Sequence, residues 1–184
     1  GRQLSIRAVE YALKHDRTLF ITAQKDQDIE QPTEDDMFEY GTRSTILQVM
    51  RMPNGALKIL AEGISRARVT SFKKADGFIE VETEDLPTTN NENEVELEAI
   101  WRQLNDLYHS YAQLNDKAPA DVVEAVKTPQ DMDYVTDTIA VHISNLSFLD
   151  RQDILETADL QERMLKVCSM LKKEIEILQT EQLI

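Results

Sequence analysis

The residues best suited to catalysis or metal binding are few and far apart in this sequence. Its histidines are His15, His109 and His142, and its single cysteine is Cys168. None of the histidines lies at a metal-ligand spacing from another histidine or from the cysteine, which argues against a zinc site. The sequence also lacks the Gly-x-x-x-x-Gly-Lys-Ser/Thr loop that binds nucleotide phosphates and the Gly-x-Ser-x-Gly elbow that presents a serine nucleophile.

The remaining candidates for chemistry have simpler structural interpretations. Asp137 and His142 are five residues apart on a predicted helix, so they face different directions and do not form an acid–base dyad. Cys168 falls within an apolar stripe, where a buried and unreactive thiol is expected. Every second residue from 92 to 98 is a glutamate. This spacing distributes the carboxylates around the first turns of a predicted helix and indicates a face exposed to solvent. We therefore expect no catalytic residue, metal or cofactor in this chain by itself.

The composition is that of an ordinary globular protein with a strong acidic bias. The chain has 184 residues, of which 41% are hydrophobic and 29% charged, and its formal net charge is −14. Such a charge opposes binding to a phosphate backbone, so nucleic acid is not an expected partner. We find no signal peptide and no apolar run long enough for a membrane helix, and one cysteine permits no internal disulfide.

The two halves of the chain differ in charge and in glycine content. Residues 1–87 hold 12 basic and 15 acidic side chains, whereas residues 88–184 hold 8 and 19. All five glycines lie in the first half, and the segment 87–93 is polar and turn-forming. The sequence therefore predicts a β-rich domain over residues 1–88, a linker over 89–93 and a helical domain over 94–184.

The first half predicts a short helix followed by a small antiparallel sheet or barrel. Asn54-Gly55 between two β-type runs is a strong hairpin signal. The predicted elements are a helix over 2–14, an acidic loop over 24–36, a turn at Asp76-Gly77, and strands over 18–23, 40–52, 56–62, 64–72 and 78–86.

The second half predicts a helical bundle. Apolar residues recur at helical spacing over 93–114, and Pro119 and Thr128-Pro129 mark two further helix starts. Asp150 with Asp153 predicts a short helix, and Asp159 with Glu162 resembles a capping pair at the start of a long helix from about residue 160. That helix reaches Ile184 without a stop signal, so it could pack in the bundle or continue as a longer helix.

The predicted hairpin contains the candidate binding residues. A two-residue Asn54-Gly55 loop would pair Met52 with Leu57, Met50 with Ile59 and Gln48 with Ala61 on a core face. The opposite face would pair Arg51 with Lys58, Val49 with Leu60 and Leu47 with Glu62. A second layer of the same domain could cover its apolar residues, or they could bind exposed apolar segments of other proteins. The candidate substrate-binding residues are Leu47, Val49, Met52 and Leu60.

Several stretches of the sequence resemble the amino-terminal domain of the Lon family of ATP-dependent proteases. In the first half these are AQKD at 23–26, DMFEYGT at 36–42, ILQVMRMPNGALKIL at 46–60 and EGISRARV at 62–69. In the second half they are DTIAVH at 137–142, DRQ at 150–152, LE at 155–156 and DLQERM at 159–164. The resemblance covers nearly the whole chain.

The resemblance implies an α+β fold, with a PUA-like antiparallel sheet or pseudo-barrel followed by an α-helical bundle. It implies a part of the protease that recognises unfolded or damaged protein substrates and supports a homo-hexamer. ATP, magnesium and the serine peptidase would belong to a motor and protease region outside this chain. We expect a bacterial cytoplasmic protein, with the mitochondrial matrix as the alternative, and no binding to nucleic acid or membrane.

The chain departs from the family in two respects, because the opening β segment and the catalytic portion of the protease both lie outside the given sequence, and three other functions are possible. Gly1-Arg2 matches the position just after the family's opening β segment. If that segment is absent from the molecule, the sheet lacks its first strands and has open edges, and if it precedes the given sequence, no such edges are expected. One alternative is a purely structural or oligomerisation module, and another is a stand-alone adaptor with the same β domain. A β-barrel RNA-binding protein, suggested by fold analogy alone, conflicts with the acidic charge.

Overall fold

The computed structural model describes residues 2–75, 77–90, 93–127 and 131–184. The expected turn residue Asp76, the linker residues Asn91 and Glu92, and the expected helix start at Thr128-Pro129 lie outside the described residues. Contacts within the chain divide it into two units, Gly1–Pro87 and Thr88–Ile184.

The first unit is one helix and a four-stranded antiparallel sheet. Its elements are α1 (Gln3–Leu13), β1 (Thr18–Ile21), a short 3-10 helix (Glu34–Asp36), β2 (Tyr40–Arg51), β3 (Leu57–Ala75) and β4 (Phe78–Asp85), and the strand order is β1-β2-β3-β4. The sequence predicted separate strands over 56–62 and 64–72, but both belong to the single strand β3. Gly63 stays paired with Ser44 there, beside a register shift of the β2–β3 ladder.

Helix α1 packs on one face of this curled sheet and contributes to its small core. Val9 and Ala12 of α1 are buried against Ile46 of β2. Partly buried apolar residues complete this cluster: Leu13, Leu19, Val49, Leu57 and Ile59. Because α1 also contacts the two edge strands β1 and β4, the half-barrel wraps around it.

The described part of the second unit contains five helices. They are α2 (Glu94–Leu114), α3 (Ala120–Lys127), α4 (Met132–Val141), α5 (Phe148–Glu156) and α6 (Leu160–Leu183). Asn93, Asp131 and Asp159 each cap a helix by accepting backbone N–H groups. The predicted start of α5 at Asp150 is wrong, because Ser147 caps it and helical geometry begins at Phe148.

The helical unit has its own core, and a buried arginine lies within it. The apolar core is formed mainly by α2, α4 and α6, with Leu104, Ile139 and Leu171 fully buried. Arg163 of α6 is 0% exposed and forms ion pairs with Asp133 and Asp137 of α4. The fold is therefore α+β, an antiparallel sheet followed by helices, which confirms the predicted class.

Candidate functional site

The β2–β3 hairpin has a three-residue loop instead of the predicted two-residue loop. Gly55 N donates to Met52 O at 3.0 Å, and Met52 N donates to Ala56 O at 2.8 Å. This pattern leaves Pro53, Asn54 and Gly55 in the loop, with Gly55 at a left-handed φ of 85°. A two-residue loop would need an N–H from the residue before Asn54, and Pro53 has none. The proline at position 53 is therefore the sequence feature that indicates a three-residue loop.

The longer loop shifts the predicted cross-strand pairs of residues 48–51 by one residue. Arg51 lies opposite Leu57, Val49 opposite Ile59, and Gln48 opposite Leu60. All six predicted pairs are wrong: Met52 with Leu57, Arg51 with Lys58, Met50 with Ile59, Val49 with Leu60, Gln48 with Ala61 and Leu47 with Glu62. Because side chains alternate between faces, this shift puts residues 48–51 of β2 on the face opposite to the one predicted, whereas Leu57, Ile59 and Leu60 of β3 keep their predicted faces.

Two residues exchange their expected environments as a result. Val49 was predicted on the outer face, but it packs with Ile59 against the α1 core. Met50 was predicted on the core face, but it is exposed and lies opposite Lys58. Leu47 falls at a second irregularity, where Ile46 pairs with Ala61 and Gln48 with Leu60, so this strand carries one extra residue.

The hairpin patch, which we define as Leu47, Met50, Met52 and Leu60, is an exposed apolar surface. Its side chains are 48%, 59%, 39% and 54% exposed, respectively. The register puts Leu60 across from Gln48 and therefore diagonal to Met50, within reach of its long side chain. Three of the four predicted residues thus lie on this surface, and Met50 takes the place of Val49.

Three exposed ion pairs connect β4 with β2 and β3. Arg43 contacts Asp85 at 3.0 Å, Arg68 contacts Glu84 at 2.8 Å, and Lys73 contacts Glu82 at 2.8 Å. Hydrogen bonds from Arg43 and Ser65 lower the pKa of Asp85, and hydrogen bonds from Lys73 and Ser71 lower the pKa of Glu82. These charged side chains suit an aqueous environment, whereas the side chains of the hairpin patch suit apolar contact.

The groups considered for chemistry occur in structural settings. Cys168 is buried, and desolvation raises the pKa of its thiol to about 11. The Nδ1 atom of His142, which follows the last residue of α4, contacts the backbone oxygen of Thr138 at 2.8 Å. Among residues 2–75, 77–90, 93–127 and 131–184, histidine, cysteine and acidic side chains form no group of three that could hold a metal ion.

No helix in the described part of the chain combines the length and the apolar character needed to cross a bilayer. The long helices α2 and α6 both carry charged side chains along their length.

Comparison with known proteins gives a consistent family match. The family model described as the ATP-dependent protease La (LON) substrate-binding domain matches residues 1–173. Over 182 residues, which are 99% of this chain, the sequence is 36% identical to a Lon protease of Halothermothrix orenii and 34% identical to Lon protease 1 of Bacillus subtilis. The chain spans only 23% of the length of each of these relatives.

Solved structures match the fold at lower identity. The N-terminal domain of a Mycobacterium avium complex Lon protease superposes with a TM-score of 0.69 at 22% identity, covering 90% of this chain and 84% of that one. A Lon N-terminal domain protein from Xanthomonas campestris gives 0.52 at 15% identity, with 89% and 82% coverage. At these identities the similarity concerns the fold alone.

Proposed function

Since the chain belongs to the Lon substrate-binding domain family, we propose that its hairpin patch binds apolar segments of unfolded or damaged polypeptides. The observation that carries this proposal is the exposure of Leu47, Met50 and Leu60 on two adjacent strands and of Met52 just after the first of them. Folded proteins bury such side chains, so an apolar surface of this kind distinguishes unfolded chains from native ones.

The small size of the hairpin patch favours weak binding with little sequence preference. Four side chains cannot provide the area of a stable protein–protein interface, and methionine adapts to partners of different shape. Several copies of the domain in one assembly would raise the effective concentration of such sites. Weak individual contacts are then sufficient to hold a substrate.

The wider role follows from the family. In this proposal the chain is the substrate-recognition part of a soluble, cytoplasmic, homo-hexameric bacterial protease that degrades misfolded, damaged and short-lived regulatory proteins. Hydrolysis of ATP with magnesium, and cleavage by a serine peptidase, would take place in regions outside this chain. The chain also supports hexamer assembly in this proposal, and a purely structural or stand-alone adaptor role is the alternative.

The test is a fluorescence-anisotropy titration of this chain against one labelled protein in its native form and in a permanently unfolded form. We expect micromolar or weaker binding to the unfolded form and none to the native form. The variant Leu60→Asp should weaken binding about tenfold, because it places a charge in the apolar contact.

Val95→Asp is the matched control, because Val95 is 82% exposed on α2 and the change in charge is the same. It should bind like the wild type, and both variants should keep the wild-type unfolding temperature. Equal binding by wild type and Leu60→Asp would reject the hairpin patch. Self-association without any binding to the unfolded protein would favour the structural role.

A further inference from the structure

The sulfur-containing side chains of this protein differ in their exposure to solvent. The chain has six methionines and one cysteine. Met50 and Met52 are exposed in the hairpin patch, whereas Met164 and Cys168 are buried. Met132 and Met170 pack against the helical core, and Met37 is half-buried. The sulfur atoms of Met50 and Met52 are therefore more accessible to solvent than those of the other methionines and of Cys168.

Exposure decides which of these sulfurs an oxidant in solution can reach. Thioether oxidation depends on access and needs no ionised form, whereas thiol oxidation requires the thiolate. Burial holds the pKa of Cys168 at about 11, so its thiol stays protonated near neutral pH. A dilute peroxide should therefore react with Met50 and Met52 before Cys168 or the four other methionines.

We propose that Met50 and Met52 form a peroxide-sensitive modification site that switches off apolar binding by the hairpin patch. In each reaction the thioether sulfur attacks one peroxide oxygen, an S–O bond forms and the O–O bond breaks. The sulfur is oxidised by two electrons to the sulfoxide, and hydrogen peroxide is reduced to water. The inference rests on the proposed function of the patch.

The position of the two methionines explains why this oxidation would affect binding and leave the fold intact. Both are exposed, and neither belongs to the core cluster of Val9, Ala12 and Ile46. Met52 holds the hairpin through its backbone N–H and carbonyl, which oxidation at the side chain does not alter. A sulfoxide is strongly polar, so two of the four apolar contacts in the patch become unfavourable for an apolar ligand.

The experiment treats the whole chain with hydrogen peroxide and follows two readouts. Peptide mass mapping measures oxidation at each methionine, and anisotropy measures binding to a labelled, permanently unfolded protein. We expect oxidation at Met50 and Met52 first, with about a tenfold loss of affinity and an unchanged unfolding temperature. Treatment with methionine sulfoxide reductases should restore binding.

Variants separate this inference from the proposed function. The double variant Met50→Leu with Met52→Leu keeps an apolar patch, so it should bind before and after peroxide treatment. Met37→Leu is the matched control and should remain as peroxide-sensitive as the wild type. Unchanged binding after complete oxidation of Met50 and Met52, or an equal loss in the double variant, would overturn the inference. Absence of binding before any oxidation would instead reject the proposed function.

Discussion

Arg163 shows how one residue ties several segments of the helical unit together. Its Nε donates to Thr157 O at 2.9 Å, and its other nitrogens contact Asp133, Asp137, Ala158 O and the Thr88 hydroxyl. A buried guanidinium is expensive to desolvate, and these partners offset that cost by occupying its N–H groups. The arginine therefore links α4 and the end of α5 to the start of α6.

Replacing Arg163 with methionine should destabilise the helical unit by about 3 kcal/mol, because two carboxylates and two carbonyls lose their donor. Arg102→Met is the control, since Arg102 forms an exposed pair with Glu98 at 3.2 Å and should cost less than about 0.5 kcal/mol. Urea unfolding followed by far-UV circular dichroism measures both free energies. Equal effects of the two variants would contradict the assigned role.

The Cys168 thiol predicts a pH dependence of stability. Burial raises its pKa from 9.0 to about 11. Between these values the unfolded chain loses the thiol proton while the folded chain keeps it, so the free energy of unfolding falls as pH rises. The variant Cys168→Ala has no thiol, so this contribution to the pH dependence of its stability is absent. The stability advantage of wild type over the variant should therefore shrink by about 2 kcal/mol between about pH 8 and 10.5.

Urea titrations of both proteins at each pH would measure that difference directly. A constant difference across this range would show that the thiol does not titrate differently in the folded and unfolded states.

At the scale of elements, the hairpin loop depends on one backbone conformation. Gly55 has a φ of 85°, and an added Cβ would meet no atom within 4 Å. Gly55→Ala should therefore cost about 1 kcal/mol from backbone strain alone, without a steric clash. Gly55→Asn should cost less, because asparagine tolerates the left-handed region. Thermal unfolding of the two variants tests this order, and an equal or larger loss for asparagine would contradict it.

The same hairpin shows which features of the fold the sequence could predict. Asn54-Gly55 correctly located the turn, and the apolar runs on either side correctly located β2 and β3. The pairing failed because the loop length sets the register, and Pro53 makes a two-residue loop unfavourable. The extra residue near Leu47 shifts the register again, and no local residue type signals it.

The helices were easier to predict because their signals are local. Asn93 and Asp159 cap α2 and α6 through their side chains, close to the predicted starts. By contrast, the partners of Arg163 lie up to 75 residues away along the chain, and no sequence pattern connects them. Binding by the hairpin patch stays a prediction, since exposure provides the opportunity for contact and not the contact itself.

At the scale of the whole molecule, the two units differ in the kind of interaction that each can make. Residues 88–184 carry 8 basic and 19 acidic side chains, so the helical unit repels other acidic chains at low salt. The sheet unit, with 12 basic and 15 acidic side chains over residues 1–87, has less net charge and contains the hairpin patch. Apolar binding is therefore better suited to the sheet unit than to the helical one.

Thr88 and Thr89 connect the start of the helical unit to its last helix. Thr88 was predicted to end the β-rich domain and Thr89 to begin the linker. The Thr88 hydroxyl donates to Asp133 at 2.7 Å and accepts from Arg163 at 3.2 Å. Thr89 N donates to Ala158 O at 3.1 Å, and Leu160 N donates to Thr89 O at 2.7 Å. Both threonines therefore contribute bonds within the second unit.

These hydrogen bonds predict the residue at which a fragment of the helical unit must begin in order to have its full stability. A fragment of residues 88–184 should be about 2 kcal/mol more stable than a fragment of residues 90–184, because the shorter one loses the hydroxyl and backbone bonds of both threonines. Thr88→Val in the longer fragment removes only the hydroxyl and should give an intermediate free energy of unfolding. Urea titrations with equal m-values allow the comparison. If both fragments unfolded at the same urea concentration, the threonines would contribute nothing, and the unit could begin at α2 itself.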